Sequence, residues 1–114
     1  MIIGTWQTVL MNVSVSNVET TEIDLGRPWE VGMLAVPLIN TAQISFKVAP
    51  KTGGTFQALY DTNPVDGTSH QVLSTAGEGS LTWTFPLKGF QFVKIVTTNA
   101  QDGNRSFDIN GIRS

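Results

Sequence analysis

The six residues Leu81-Thr82-Trp83-Thr84-Phe85-Pro86 alternate apolar and polar side chains and end at a proline. A period of two residues is typical of a β-strand with one face in a core, because successive side chains point to opposite faces. The same alternation recurs in Val9–Val15, Ile44–Val48 and Phe90–Val96, and turn residues separate the runs. No segment has a convincing helical period, so the pattern predicts an all-β protein with Trp83 in its core.

The number and spacing of these runs predict the architecture. About eight or nine short strands, with turn signals roughly every ten residues, are typical of a sandwich or barrel. The chain has 114 residues, the usual size of one domain. We therefore predict a single-domain antiparallel β-sandwich over residues 1–114, of jelly-roll type with two sheets of about four strands. An immunoglobulin-like sandwich is the alternative.

Several local features follow from the same pattern. The stretch Trp29–Ile39 is apolar on both faces and predicts a central strand, with an edge or bulge at Pro37 because proline cannot donate to a ladder. A glycine turn predicts a hairpin after Ile44–Val48, whose return strand would turn Phe56 and Tyr60 toward the core. The residues Asp61–Ser69 are rich in turn formers and predict a loop.

Composition excludes several classes of partner. Only 14% of the residues are charged, the net charge is −2, and the seven basic residues are scattered singly. Nucleic-acid binding depends on clustered Lys and Arg, so we expect no nucleic-acid partner. No apolar run approaches the roughly 20 residues that span a bilayer, and the first residues do not resemble a signal peptide, so we expect no membrane partner.

The sequence offers little for catalysis or metal binding. There is no cysteine, and His70 is the single histidine, in a region that predicts exposure. Asp61 and Asp66 are near each other but lie in the turn-rich segment, and no calcium-loop spacing is present. We predict no enzymatic activity, no catalytic residues, no metal site and no cofactor, and the sequence identifies no ligand-binding residue.

Two segments are more apolar than a one-sided sandwich strand requires. One is Trp29–Ile39, and the other is the N-terminal segment Met1–Met11. The N-terminal segment is either the first strand of this chain's own sandwich or a strand that extends a neighbour's sheet. Exposed tryptophans are enriched where proteins bind one another. The candidate interface residues are Ile2, Ile3, Trp6, Trp29 and Met33.

The second part of the chain, from Gln43 to Arg113, has a recognisable layout. Ile44–Val48 leads into a glycine turn and Thr55–Tyr60, and later come Phe90–Val96 and the closing segment Arg105–Gly111. This layout resembles the discoidin-type, galactose-binding-like jelly rolls, although the disulfide common in that family is absent here. It also resembles capsid decoration (cement) and tail-associated β-domains of tailed bacteriophages. The resemblance implies a jelly roll and a role in virion assembly, and it carries over no ligand contact.

We therefore expect a bacteriophage virion protein that is made in the host cytoplasm and acts by protein–protein contacts. The leading hypothesis is a capsid decoration protein that binds the major capsid protein or another virion protein. It would form a homo-oligomer, with a trimer favoured. The alternative is a carbohydrate-binding or receptor-binding module of a phage tail, for which a carbohydrate partner is expected.

Overall fold

The computed structural model describes residues 1–113, and all regular structure in that range is β-strand. No helix suited to crossing a bilayer occurs within residues 1–113. The strands are β1 (Ile2–Ile3), β2 (Gln7–Met11), β3 (Ile23–Asp24), β4 (Val31–Ala42), β5 (Ile44–Ala49), β6 (Gln57–Ala58), β7 (Tyr60–Thr62), β8 (Ser69–Gln71), β9 (Gly77–Pro86), β10 (Phe92–Thr97) and β11 (Arg105–Arg113).

Two antiparallel sheets form the sandwich. Sheet A has the order β2-β11-β4-β9, and β1 pairs with the far end of β11 on the same side as β2. Sheet B has the order β3-β10-β5-β6, and β7 and β8 form a separate hairpin. If β1 and the hairpin β7-β8 are left out, the other eight strands can be counted from one to eight along the chain. Sheet A then has the order 1-8-3-6, and sheet B has the order 2-7-4-5. This order is that of a jelly roll, so the jelly-roll prediction is confirmed and the immunoglobulin-like alternative is not.

Aromatic packing ties the two sheets together. Phe46 of β5 stacks on Phe85 of β9, with ring centroids 3.9 Å apart, and Trp83 stacks on the same Phe46 ring at 5.6 Å. Phe46 and Phe85 are fully buried, while Trp83 is half-buried against them. The alternation in the sequence therefore correctly places Trp83 on the face of β9 that turns toward the core. Stacked rings bury large apolar areas, so this cluster contributes strongly to stability.

The long strand β4 lies between β11 and β9, which confirms the central strand predicted for Trp29–Ile39. Its burial alternates, because Gly32, Leu34 and Val36 face the core and the residues between them are half-buried. The register with β9 shifts between Leu38 and Ala42, just after Pro37, as the proline predicts.

The segment after β5 differs from the prediction. The hairpin to β6 exists, but Tyr60 is 56% exposed and Leu59 is buried in its place. Leu59 donates its backbone N–H to the carbonyl of Phe46 beyond the end of β6, so the simple alternation stops there. The predicted loop at Asp61–Ser69 contains parts of the hairpin β7-β8, so its assignment as a loop throughout is wrong.

Candidate interaction surface

The N-terminal segment forms an edge of this chain's own sheet. Ile3 of β1 lies opposite Ile112, and Thr8 of β2 lies opposite Asp108, so both strands pair with β11. Of the two alternatives for this segment, the structure therefore shows the first strand of the chain's own sandwich. The side of β2 away from β11 has no strand beside it within residues 1–113.

An apolar row crosses the outer face of sheet A, the face turned away from sheet B. The register places Ile3, Ile112, Val31 and Pro86 side by side on four neighbouring strands. Directly opposed residues of antiparallel strands share a face, so these side chains form one row. Met33 lies two residues along β4 from Val31 and extends the row. We call the surface formed by Ile3, Val31, Met33, Pro86 and Ile112 the outer-face patch.

Polar residues lie next to this row on the outer face, while the apolar Leu10 and Trp6 lie farther away on the same face, at the β2 edge. Thr82 and Thr84 of β9 are exposed beside Ala35 and Met33, and Asp108 accepts a hydrogen bond from the Thr8 hydroxyl at 2.7 Å. The outer-face patch is therefore an apolar area with a polar border, which is the usual anatomy of a protein–protein contact.

Trp6 immediately precedes β2 and is 47% exposed. It has the same phase as Thr8 and Leu10, which are also exposed, whereas Gln7 and Val9 between them are half-buried. Trp6, one of the residues that the sequence selected, is therefore exposed, and it stands at the β2 edge and outside the outer-face patch.

Trp29 has a different role from the one expected. It is only 4% exposed, and its indole N–H donates to the carbonyl oxygen of Leu25 at 2.9 Å. Its ring lies directly on Gly111, and the Arg27 guanidinium stands 5.7 Å from the ring centroid. Trp29, which the sequence selected as an interface candidate, is buried because two glycines, Gly4 and Gly111, leave room for the indole inside the chain's own core.

A cleft of about 430 Å³ opens where β1 and the start of β2 approach the loop after β3. We call it the N-terminal cleft. Its lining residues are Ile2, Ile3, Gly4, Thr5, Gln7, Asp24, Leu25, Gly26, Arg27 and Trp29. The cleft therefore brings Ile2, Ile3 and Trp29 together, three of the five residues that the sequence selected.

One carboxylate at this cleft is held in a fixed position. Asp24 Oδ1 accepts hydrogen bonds from the Gly26 N–H at 2.8 Å and from Gln91 Nε2 at 2.9 Å. The bond from Gln91 and then that from Gly26 lower the pKa of Asp24, because both stabilise the charged form. Arg27 forms no ion pair with Asp24 or with any other carboxylate of residues 1–113, so the cleft carries two separate opposite charges.

The structure also places residues that sequence reasoning did not select. Ile112 joins the outer-face patch, and the signal was its phase, since it follows Gly111 and is out of step with Phe107 and Ile109. Leu10 is not among the candidates selected from the sequence, and it is 47% exposed in the same phase as Trp6. The sequence signal for both residues is an apolar side chain at a position where the alternation predicts a solvent-facing one.

His70 lies in β8 and is exposed, opposite Asp61 of β7. Its exposure agrees with the prediction, although it belongs to a strand and not to a loop. In the part of the chain that the structure describes, no three His, Asp or Glu side chains come together in an arrangement that could hold a metal ion.

The fold defines the class of the protein as a small jelly-roll β-sandwich. No protein-family model matches the sequence, and no curated protein matches it either. Among solved structures, the chain is similar to the crystal structure of the SPBc2 prophage-derived protein YomS. The TM-score is 0.53 at 16% sequence identity, and the match covers 99% of each chain. At this identity the likeness concerns the fold, which the two proteins share over their whole lengths.

Proposed function

We propose that this chain is a bacteriophage structural protein that acts by binding other virion proteins and has no enzymatic activity. A prophage-derived protein of the same fold over the same length supports the phage origin. The observation that carries the proposal is the outer-face patch, an apolar row across four strands with a polar border. The most specific form of the proposal is a capsid decoration protein whose partner is the major capsid protein, located on the virion.

The physical argument rests on the apolar area of the patch and on the preformed strands that carry it. The patch combines an exposed Ile3 with half-buried Val31, Met33 and Ile112, all on the rigid strands of one sheet. Preformed strands lose little conformational freedom on binding, so more of the gain from burying apolar area remains as affinity. The proposal includes no nucleic-acid or membrane partner and no cofactor.

Co-sedimentation with phage particles that lack the protein tests this proposal. We expect wild-type protein to bind saturably, and Met33→Lys to weaken binding at least tenfold because a charge would be placed in the contact. Gln57→Lys, on the exposed strand β6 of sheet B, is the matched control and should bind like wild type. Wild-type protein that binds neither capsids nor tails would refute the proposal.

A second candidate function is carbohydrate recognition by a tail module, and one feature of the N-terminal cleft favours it. Arg27 can donate to sugar hydroxyls, and Asp24 retains Oδ2 to accept from them, with Ile2 as an apolar wall. The cleft volume lies within the usual range for small-ligand sites.

Isothermal titration calorimetry of the protein with host-surface glycans tests this candidate. Binding should be lost in Arg27→Ala and kept in Lys51→Ala, an exposed cation in the β5-β6 turn. Absence of binding to any glycan at millimolar concentration would remove the candidate without affecting the virion proposal.

A further inference from the structure

The sandwich has four sheet edges, and they differ in how they are protected. The edge strands β3 and β6 of sheet B have two residues each. The edge strand β9 of sheet A is interrupted at Gly79 and Ser80, whose φ angles are +77° and +56°, and it ends at Pro86. Short length, irregularity and proline are all features that prevent edge-to-edge pairing.

The edge strand β2 has none of these features. Its five residues, Gln7–Met11, include no charge, proline or glycine, and it pairs regularly with β11 along its whole length. Within residues 1–113 nothing forms a ladder with its other side. An edge of this kind is a template for another strand, because its outward N–H and C=O groups need partners.

The sequence of this edge is complementary to itself. If a second copy pairs antiparallel about a two-fold axis at Thr8, Thr8 lies opposite Thr8 of the second copy. The same register places Trp6 opposite Leu10 of the second copy, and Leu10 opposite Trp6 of the second copy. These three residues are exposed on one face, and aromatic–aliphatic and Thr–Thr pairs across strands are favourable. In an antiparallel ladder, opposed residues form either a hydrogen-bonded or a non-hydrogen-bonded pair, and a two-fold axis can pass through a pair of either kind.

We propose that the β2 edge is a homodimer interface in which β2 of two copies pairs antiparallel about Thr8 and joins the two A sheets into one. The molecule measures 37 × 31 × 27 Å, so even its smallest side offers a projected area of about 840 Å². A standard interface buries about 800 Å² on each partner, so the side is large enough.

This inference does not rest on the virion role, and it differs from the trimer favoured on sequence grounds. A contact in which each copy uses the same strand closes after two copies. The outer-face patch lies on the same face of the joined sheet in both copies, so the dimer would present two patches side by side.

Sedimentation equilibrium and light scattering on the purified chain provide the first test. The chain mass is 12.3 kDa, and we expect a species of twice that mass at micromolar concentration. Thr8→Lys should raise the dissociation constant about a hundredfold or more, because two like charges would face each other on the axis. Thr82→Lys, an exposed threonine of the opposite edge strand, is the matched control and should remain dimeric. A monomer at 100 µM (on the order of a hundred times the expected dissociation constant), or a trimer, overturns the proposal.

Disulfide trapping tests the register, and the natural chain is suited to it because it has no cysteine. Opposed residues of antiparallel strands have Cα atoms about 4.5 or 5.5 Å apart, within the range that a disulfide spans. Only the residue on the axis meets its own copy, so Thr8→Cys should form a covalent dimer rapidly under mild oxidation. Leu10→Cys and Thr82→Cys should form it at least tenfold more slowly. Equal rates for the three variants, or faster trapping of either control, overturn the proposed register.

Discussion

Replacing Gly111 with alanine is the sharpest test of how sheet A holds Trp29. A Cβ at position 111 would overlap the indole ring of Trp29, which is only 4% exposed. The same ring also covers Gly4, which lies next to Gly111 and donates its N–H to the Gly111 carbonyl at 2.9 Å, and a Cβ at Gly4 would come within 2.8 Å of the ring. The indole N–H is also fixed by its bond to the Leu25 carbonyl at 2.9 Å. Gly111 is therefore required for space and not for backbone conformation.

The expected magnitude follows from the two ways in which the protein can respond. If the ring stays, overpacking costs about 1–3 kcal/mol. If the ring moves, the buried hydrogen bond from Trp29 to Leu25 is lost, which costs about 1–3 kcal/mol. We therefore expect Gly111→Ala to lower the free energy of unfolding by about 2 kcal/mol. For a domain of this size the melting temperature should fall by about 8 °C.

Thermal unfolding followed by circular dichroism, with urea unfolding at 25 °C, measures this effect. Gly77→Ala is the matched control, because a Cβ at that β9 position meets nothing within 4 Å. It should stay within about 0.5 kcal/mol of wild type. If Gly111→Ala is no less stable than Gly77→Ala, the packing of Trp29 against β11 is not as described.

Three further predictions concern the core, a buried polar group and pH. Phe46→Ala should cost about 3–5 kcal/mol in urea unfolding, because the Phe46 ring joins the two sheets. Gln101→Ala should cost about 1–3 kcal/mol in the same assay, because the Gln101 amide oxygen accepts from the Asn40 N–H at 2.8 Å in a nearly buried site. The hydrogen bond from the Thr52 hydroxyl, then that from the Gly53 N–H, lowers the pKa of Glu22 below 4.5. The charged Glu22 side chain therefore stabilises the folded state above that pH, and this stabilisation is lost as pH falls through the lowered pKa. The urea midpoint of wild type should therefore fall more steeply below pH 4.5 than that of Glu22→Gln, and parallel curves would contradict this.

The fold was predictable because its signal is local and repeated. Strands such as β4 and β10 bury every second residue, and the alternation in Leu81–Phe85 places Trp83 and Phe85 against Phe46. The prediction failed at Tyr60, where the chain leaves sheet B and Leu59 takes the buried position. A change of phase of this kind depends on a backbone hydrogen bond to Phe46, a residue in another strand, and no local pattern encodes it.

The candidate interaction surface was predictable only in part. Ile3 and Met33 were selected from apolar excess, and the register places them on one outer face with Ile112 between their strands. Trp29 was selected for the same reason, but it is buried. Composition records that a residue is apolar, and whether it meets core or solvent depends on which strand lies next to it.

The sequence by itself determined that this chain is an all-β sandwich, because alternation with a period of two places one face of most of the longer strands in a core. The tertiary structure decided where the remaining apolar side chains lie. Long-range pairing of β1, β2 and β4 with β11 aligned Ile3, Ile112 and Val31 in one row, and the glycines at 4 and 111 admitted Trp29 to the interior. It also left the uncharged strand β2 at an edge, because sheet A ends there, and strand order is a property of the whole chain.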